Sequence, residues 1–244
     1  MKLGRLATLA LAALWLAAGA RAAPAPELRV LVDTSTAMPM SEIVHGVVVG
    51  GIHRDLAIAL ADQLHTTARV SAMPRKRIPV SLERGDADLS CHYLPAWLPG
   101  AFDWTMPFLP NAILIVTGTQ WPAPASIDVL RGAPIGTVLG FSYPEVQHAL
   151  GTGFIRDDAS DALQNLTKFA AGRTHHALTG EVFFSYQQRL HPTLLQVHRP
   201  LLVTRFQAQC AVSRRGRYPA AAIDRAIRAL QKSKRIEAIY ASYR

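Results

Sequence analysis

Short apolar runs alternate with amphipathic helical segments along most of the chain. The apolar runs predict strands at residues 28–32, 68–72, 88–91, 112–117, 135–139 and 207–213. Apolar residues at helical spacing predict a helix after Gly51, a short helix carrying Ile78 and Leu82, helices at 126–132, 161–171 and 181–190, and two more near the C-terminus.

The order of these elements predicts an α/β fold. The chain begins with a βαβαβ unit, continues with a second α/β unit, and ends with a strand and helices. Such alternation favours layered, mixed but mostly parallel sheets with helices on both faces. Two units favour two lobes, and we expect the final strand and helices to return to the first lobe.

Residues 1–22 have the features of a cleaved secretory signal. Lys2 and Arg5 precede a mostly apolar run at residues 6–18, and a small-x-small cleavage site ends at Ala22. The run is too short to span a bilayer comfortably, so we expect the segment to be removed. The mature chain is then exported, to the periplasm if the source is Gram-negative.

Removal of this leader lowers the formal net charge from +9 to +6, because three of the 26 basic residues lie in it and none of the 17 acidic ones. A positive exported protein favours anionic ligands or surfaces, although net charge is weak evidence of function. Nucleic acid is not an expected partner in that compartment. The roughly 220 remaining residues suffice for one large domain or two of ordinary size.

A stretch rich in proline and aromatic residues follows the third strand, at residues 92–108. Such a stretch suits a ligand-facing surface, and it equally suits a surface loop whose aromatic rings cover the core. Cys91 precedes it, and the chain has only one other cysteine, Cys210. In an oxidising compartment the two can pair, or each can be a buried free thiol.

The chain lacks the sequence motifs of common metal and catalytic sites. Its nine histidines form no HxH, HxxxH or HExxH pattern. There is no GxSxG nucleophile motif, and Gly151 and Gly153 lack the rest of a dinucleotide-binding fingerprint. We therefore expect neither a metal nor a cofactor.

Several short motifs occur in a fixed order through nearly the whole mature chain. They are residues 28–32 (LRVLV), 51–57 (GIHRDLA), 82–88 (LERGDAD), 102–108 (FDWTMPF), 135–140 (IGTVLG), 171–173 (AGR), 209–214 (QCAVSR) and 236–240 (IEAIY). Each is weak alone. Their order and spacing resemble those of the family 3 extracellular solute-binding proteins, the periplasmic components of polar amino-acid-type ABC importers.

The resemblance implies two α/β lobes joined by two hinge strands, with the ligand in the cleft between them. Lobe one would comprise residues 27–110 and 206–244, and lobe two residues 111–205. The returning strand would lie beside the third strand of lobe one, which would bring Cys210 near Cys91 and permit a disulfide. The protein is then expected to be a monomer that captures a small polar or anionic ligand and presents it to an inner-membrane ABC permease.

The chain departs from this family where α-amino acids are usually bound. The family's Arg that binds the α-carboxylate aligns with Leu98, which cannot make the paired hydrogen bonds of a guanidinium. The second-lobe acid that binds the α-ammonium is matched only by Glu181, after a shift of one residue. We therefore expect a small ligand with an acidic group, aromatic or not, rather than a standard amino acid.

Eight residues are candidates for ligand contacts: Ser35, Thr36, Arg75, Arg77, Tyr93, Trp97, Phe141 and Glu181. Arg75 and Arg77 follow the second strand at its cleft-facing end, where either can hold an anionic group. Taken individually, an arginine at such a position is more often a solvated charge on a short helix than a ligand contact. The hydroxyls of Ser35 and Thr36 can donate hydrogen bonds, and the aromatic rings supply flat apolar walls. Trp104 is expected to pack in the core.

Two other functions fit the same scaffold. Periplasmic cyclohexadienyl dehydratases resemble these binding proteins and require a general acid in a closed cleft, for which Glu181 and His176 are candidates. Glu181 is also well placed simply to begin a helix, because a carboxylate favours the helix N-terminus. The other alternative is a ligand-sensing module that serves a separate receptor.

Overall fold

The computed structural model describes residues 26–244 as an α/β protein. Residues 1–25, with the predicted leader and its cleavage site after Ala22, lie outside the described part. The strands are β1 (Glu27–Asp33), β2 (Glu42–Val44), β3 (Val47–Gly50), β4 (Thr67–Met73), β5 (Leu89–Tyr93), β6 (Asp103–Trp104), β7 (Leu109–Thr117), β8 (Pro134–Val138), β9 (Ile155–Ala159), β10 (His176–Gly180) and β11 (Leu201–Val212). The helices are α1 (Ile52–Gln63), α2 (Ile78–Arg84), α3 (Pro144–Leu150), α4 (Ala162–Ala170), α5 (Glu181–Leu190), α6 (Ala220–Lys232) and α7 (Arg235–Ala241).

Two strands, β7 and β11, connect the two lobes. The strand order is β4-β1-β5-β11-β7-β10-β8-β9, with β6 added beside β11. Residues 209–212 of β11 pair with β5, whereas most of residues 201–208 pair with β7. The parallel pairs lie on either side of this junction, between β1 and its neighbours β4 and β5 and between β8 and its neighbours β9 and β10. The predicted two-lobed α/β fold is confirmed. The pairing is mixed rather than mostly parallel, because every pair that includes β7 or β11, and the β2–β3 hairpin, is antiparallel.

Helices cover both faces of the sheet in each lobe. In lobe one, α1, α6 and α7 pack on one face and α2 packs on the other. In lobe two, α3 packs on one face and α4 and α5 pack on the other. The carboxyl ends of the parallel strands are left to form the walls of the cleft. Within residues 26–244, no helix has both the length and the apolar character that a membrane span requires.

The turn before α1 requires glycine at position 51. Gly51 has a φ of +99°, and a Cβ atom there would lie 2.5 Å from the Cα of Ser41. The next two residues are fixed to the loop after β1, because the N–H groups of Ile52 and His53 donate to the carbonyls of Pro39 and Met40. The start of α1 therefore has a defined position beside the cleft.

Six of these elements were not predicted: the strands β2, β3, β6, β9 and β10 and the helix α3. β9 (IRDDA) has three charged residues and lies at the sheet edge, so it lacks the apolar pattern of a strand. β7 and β11 also begin earlier than predicted, at Leu109 and Leu201, where exposed positions interrupt the apolar runs. The helix predicted at residues 126–132 is a single 3-10 turn at Asp128–Leu130.

Cys91 and Cys210 form a disulfide between β5 and β11. The two residues face each other in the antiparallel pairing of these strands. Cys210 is fully buried. The pairing that the family resemblance implied is confirmed, and the alternative of two free thiols is wrong.

Candidate functional site

A largely apolar cavity of about 130 Å³ lies between the two lobes. Its walls come from β1, β5 and α1 in lobe one, from β8 and β10 in lobe two, and from loops that follow these strands. Its polar and aromatic lining includes Asp33, Arg75, Tyr93, Trp97, Phe141 and Thr179. Ligands of open α/β sheets bind outside the carboxyl ends of the strands, and this cavity occupies that position.

Arg75 brings a guanidinium group into the cavity. Its Nη1 donates to Oδ2 of Asp33 and its Nη2 donates to the carbonyl of Trp97, both at 3.2 Å. The side chain of Arg75 is 11 % exposed and that of Asp33 is 3 % exposed. Since an unpaired buried charge is costly, each of these groups stabilises the other in its position.

Two aromatic rings flank the guanidinium carbon of Arg75. The carbon lies 4.9 Å from the ring centroid of Tyr93 and 4.7 Å from that of Phe141, both within cation–π range. Tyr93 ends β5 in lobe one, whereas Phe141 follows β8 in lobe two. Burial raises the pKa of the Tyr93 hydroxyl above its ordinary value, so this ring is neutral. The arginine therefore connects aromatic walls that belong to different lobes.

Apart from nitrogens of His53 and His92, three polar side-chain atoms of the lining have no hydrogen-bond partner within residues 26–244. They are Nε1 of Trp97, Oδ1 of Asn165 and Oγ1 of Thr179. Nearly all buried polar atoms in proteins are paired, so these atoms are candidates for hydrogen bonds to a ligand. One belongs to lobe one and two belong to lobe two.

Hydrogen bonds also join the lobes directly. The N–H of Ala162, at the start of α4, donates to the carbonyl of Ser35 at 3.0 Å. The Nε2 of Gln187 on α5 donates to the carbonyl of Met38 at 2.7 Å. Both acceptors lie in the loop after β1, so the structure shows the lobes in contact around the cavity.

Five of the eight predicted residues line the cavity: Thr36, Arg75, Tyr93, Trp97 and Phe141. The other three lie outside it. Ser35 faces lobe two through its backbone carbonyl. Arg77 is exposed on the 3-10 turn before α2. Glu181 begins α5 beside a separate groove, with its Oε2 3.6 Å from Nη1 of Arg205.

Leu98 packs in the core of lobe one and does not line the cavity. It is 2 % exposed and belongs to the same apolar cluster as Phe102. Trp104 packs against this cluster as predicted, with its ring centroid 6.0 Å from that of Phe102. His176, the second candidate acid of the dehydratase alternative, also lies outside the cavity, where its Nδ1 is 2.9 Å from Oγ1 of Thr117.

Sequence reasoning missed most of the lining, including Asp33, His53 and His92. Asp33 is the last residue of β1, and its place at a carboxyl strand end could have indicated it. His53 and His92 line the part of the cavity that extends into lobe one. No three histidine, cysteine, aspartate or glutamate side chains within residues 26–244 are grouped as a metal site requires.

No protein-family model and no curated protein matches the chain by sequence. Solved structures match its fold. It is similar to an ancestral arginine-binding protein bound to arginine, with 18% identity and a TM-score of 0.74 over 89% of this chain and 97% of that one. It is similar to the ancestral amino acid-binding protein AncCDT-1, a precursor of cyclohexadienyl dehydratase, with 16% identity and a TM-score of 0.73 over 89% of this chain and 95% of that one.

A third similar structure is the amino acid ABC transporter substrate-binding protein AbpA from Streptococcus pneumoniae, bound to L-arginine. It has 16% identity and a TM-score of 0.71, over 89% of this chain and 94% of that one. Identities this low establish the fold and leave the ligand open. The chain therefore has the two-lobed α/β fold that these amino-acid-binding proteins share.

Proposed function

We propose that the protein is a periplasmic solute-binding protein that encloses a small ligand with an acidic group and delivers it to an inner-membrane ABC permease. Lobe one then comprises residues 27–110 and 206–244, and lobe two residues 111–205. In such a fold, a ligand that contacts both lobes shifts the open–closed equilibrium by its differential affinity for the closed form. The fold shared with AbpA, an ABC transporter substrate-binding protein, supports this proposal.

The observation that carries the proposal is the position of Arg75 between Tyr93 of lobe one and Phe141 of lobe two. The guanidinium is largely buried, and a planar fork of this kind suits a carboxylate. Its contact with Phe141 requires the lobes to be close together. Binding an acid at Arg75 is therefore coupled to closure.

The lining does not favour an α-amino acid. Among the described residues, Asp33 is the one carboxylate of the cavity wall, and it accepts hydrogen bonds from Arg75 and from the N–H of Ser35. Leu98, which aligns with the family's carboxylate-binding arginine, is in the core. Glu181, which aligns with the acid that binds the α-ammonium, lies outside the cavity. Neither position therefore supports the binding of an α-amino acid. The ligand then carries an acidic group without a neighbouring ammonium.

A thermal-shift screen of the mature protein, residues 23–244, tests this proposal. The panel holds α-amino acids, aliphatic carboxylates and aromatic carboxylates. Carboxylates without an ammonium group are expected to raise the melting temperature, because they bind the folded state only. The largest shifts from ordinary amino acids would contradict the proposed ligand class.

Arg75→Gln and Arg77→Gln form a matched pair for the same screen. Both remove one guanidinium from the same short segment, but only Arg75 lines the cavity. Arg75→Gln should abolish the ligand-induced shift, and Arg77→Gln should keep it. Uptake of the radiolabelled ligand by cells with and without the gene tests the delivery step.

Turnover of prephenate or arogenate, followed by NMR, would instead support a dehydratase. The AncCDT-1 likeness makes this control necessary. Neither Glu181 nor His176 lies in the cavity, so neither is placed to act as the general acid there. We expect no turnover.

A further inference from the structure

Part of the cavity extends into lobe one beneath α1. We call it the α1 arm, and its apolar walls are Val30, Val32, Leu56, Leu60, Leu89 and Cys91. These residues belong to β1, α1 and β5. Two histidines, His53 and His92, interrupt this otherwise apolar wall.

His92 reaches the α1 arm because it is the extra residue of a β-bulge. Cys91 pairs with Cys210 and Tyr93 pairs with Gln209, so His92 has no partner on β11. Its φ of +69° is unusual for a residue other than glycine, although histidine tolerates it better than most. Tyr93 packs in the cluster under α2, whereas His92 contacts His53 on the α1 side. Costly backbone conformations of this kind concentrate at functional sites.

The two imidazole rings lie together, with centroids 4.7 Å apart and planes inclined by 57°. The Nε2 of His92 is 2.7 Å from the hydroxyl of Tyr240. Both ring nitrogens of His53 and the Nδ1 of His92 are buried without a hydrogen-bond partner within residues 26–244. Three unpaired nitrogens in an apolar wall are unfavourable unless a bound molecule pairs with them.

Both histidines are neutral near pH 7. Burial lowers the pKa of His53 to about 4. Burial, and then the neighbouring His53, lowers the pKa of His92. A neutral imidazole has one donor and one acceptor nitrogen, so the pair suits a group that both donates and accepts, such as a hydroxyl. A charged group would lose its hydration without gaining an opposite charge.

The histidine pair and the Arg75 site lie near each other on adjacent strands. Leu31 of β1 pairs in parallel with Ser90 of β5, and Asp33 and His92 each lie two residues farther along their strands. Asp33 binds Arg75, which lies over Tyr93 on the α2 side of the sheet, whereas His92 contacts His53 on the α1 side. Arg75, His53 and His92 all line one cavity past the carboxyl ends of β1 and β5, so one small molecule can contact both Arg75 and the histidines.

The volume of the cavity limits the size of that molecule. Its volume of about 130 Å³ is close to that of an apolar protein cavity that holds one benzene ring, about 150 Å³. Resting on the proposed function, we propose that the ligand is a hydroxyaryl carboxylic acid. Its carboxylate lies at Arg75, its single ring occupies the α1 arm, and its hydroxyl pairs with His53 and His92.

Isothermal titration of the mature protein tests this assignment with two matched probes, 3-phenylpropionate and 3-(4-hydroxyphenyl)propionate. They differ only in the hydroxyl. The wild type should bind the hydroxylated acid at least about tenfold more tightly, because the acid without the hydroxyl leaves the imidazole nitrogens unpaired. His53→Leu should reduce this ratio of dissociation constants to near one. His148→Leu, a change on the exposed face of α3, should leave it at the wild-type value.

His92→Asn supplies a second variant should His53→Leu not fold, since asparagine also tolerates a positive φ. It too should reduce the ratio. Equal affinity of the wild type for the two probes, or an unchanged ratio in both variants, overturns the hydroxyaryl assignment and leaves the proposed function standing. Failure of every carboxylate in the screen to bind would overturn both.

Discussion

The indole ring of Trp97 packs edge-on against the ring of Phe206, with centroids 4.8 Å apart and planes inclined by 75°. Trp97 lies in the loop after β5, and Phe206 lies on β11, the strand shared by the two lobes. Both line the cavity. A tryptophan in this position is sensitive to ligand binding and to movement at the junction of the lobes.

Ligand binding should therefore change the intrinsic fluorescence of the protein through Trp97. Its Nε1 is buried without a partner within residues 26–244, so a new hydrogen bond or altered polarity there shifts the emission. Trp97→Phe should remove the ligand-dependent change. Trp121→Phe is the control, because Trp121 stacks on His175 away from the cavity and should leave the signal intact. A signal that survives Trp97→Phe would contradict this assignment.

Gly51→Ala should destabilise the protein more than Gly46→Ala. Both glycines have positive φ, but a Cβ at Gly51 would lie 2.7 Å from the carbonyl oxygen of Met40, whereas one at Gly46 would have no neighbour within 4 Å among residues 26–244. We expect the difference in unfolding free energy to be about 1–3 kcal/mol, the usual cost of overpacking. Urea denaturation of the two variants measures it. An equal loss of unfolding free energy in the two variants would mean that the loop after β1 can move away from α1.

Replacing both cysteines, Cys91→Ala with Cys210→Ala, should lower the free energy of unfolding by about 2–4 kcal/mol. The disulfide closes a loop across a separation of 119 residues, so its loss frees a large part of the unfolded chain. Urea denaturation of the oxidised wild type and of the double variant gives the difference. Adding a reductant should destabilise the wild type and not the variant, and identical unfolding of the two proteins would contradict a stabilising role.

Acid should destabilise the protein through His53. The unfolded chain protonates this ring near its ordinary pKa of 6.5, and the folded protein protonates it only near 4. Between these values the unfolded state binds more protons, so the free energy of unfolding falls as the pH drops from 6.5 towards 4. The full effect is on the order of 3 kcal/mol, and His92 acts in the same direction.

Urea denaturation at about pH 7 and about pH 4.5 measures this loss. His53→Leu should lose less stability over that interval than the wild type, because it has one fewer buried imidazole. His148→Leu should behave as the wild type does, since His148 is exposed. A wild type and a His53→Leu variant with parallel pH profiles would show that protonation of His53 does not limit stability.

The sequence predicted the fold better than it predicted the direction of individual side chains. Alternating apolar and amphipathic segments identified both α/β units. The end of the second predicted strand indicated Arg75, which lines the cavity, and Arg77, which does not. Glu181 also follows a strand, β10, but its carboxylate turns towards Arg205. Chain position alone does not determine which way the first side chain of a helix points.

The histidine pair illustrates a different limit. A β-bulge breaks the alternation of strand side chains, so His92 faces the side that a regular β5 would not have given it. His53 lies two residues after Gly51, at the start of α1, where the loop after β1 approaches closely. Both placements arise from contacts between distant parts of the chain, which periodicity does not report.

β11 also constrains how the molecule can be synthesised. Both lobes require this strand, yet it occupies Leu201–Val212 of a chain of 244 residues. During synthesis, which begins at the N-terminus, the edges of β5 and β7 therefore stay unpaired until most of the chain has left the ribosome. Unpaired edges are templates for aggregation, so the nascent protein is exposed to aggregation until its last fifth has been synthesised. A truncation before Leu201 would damage both lobes at once, and neither lobe can be produced as an N-terminal fragment.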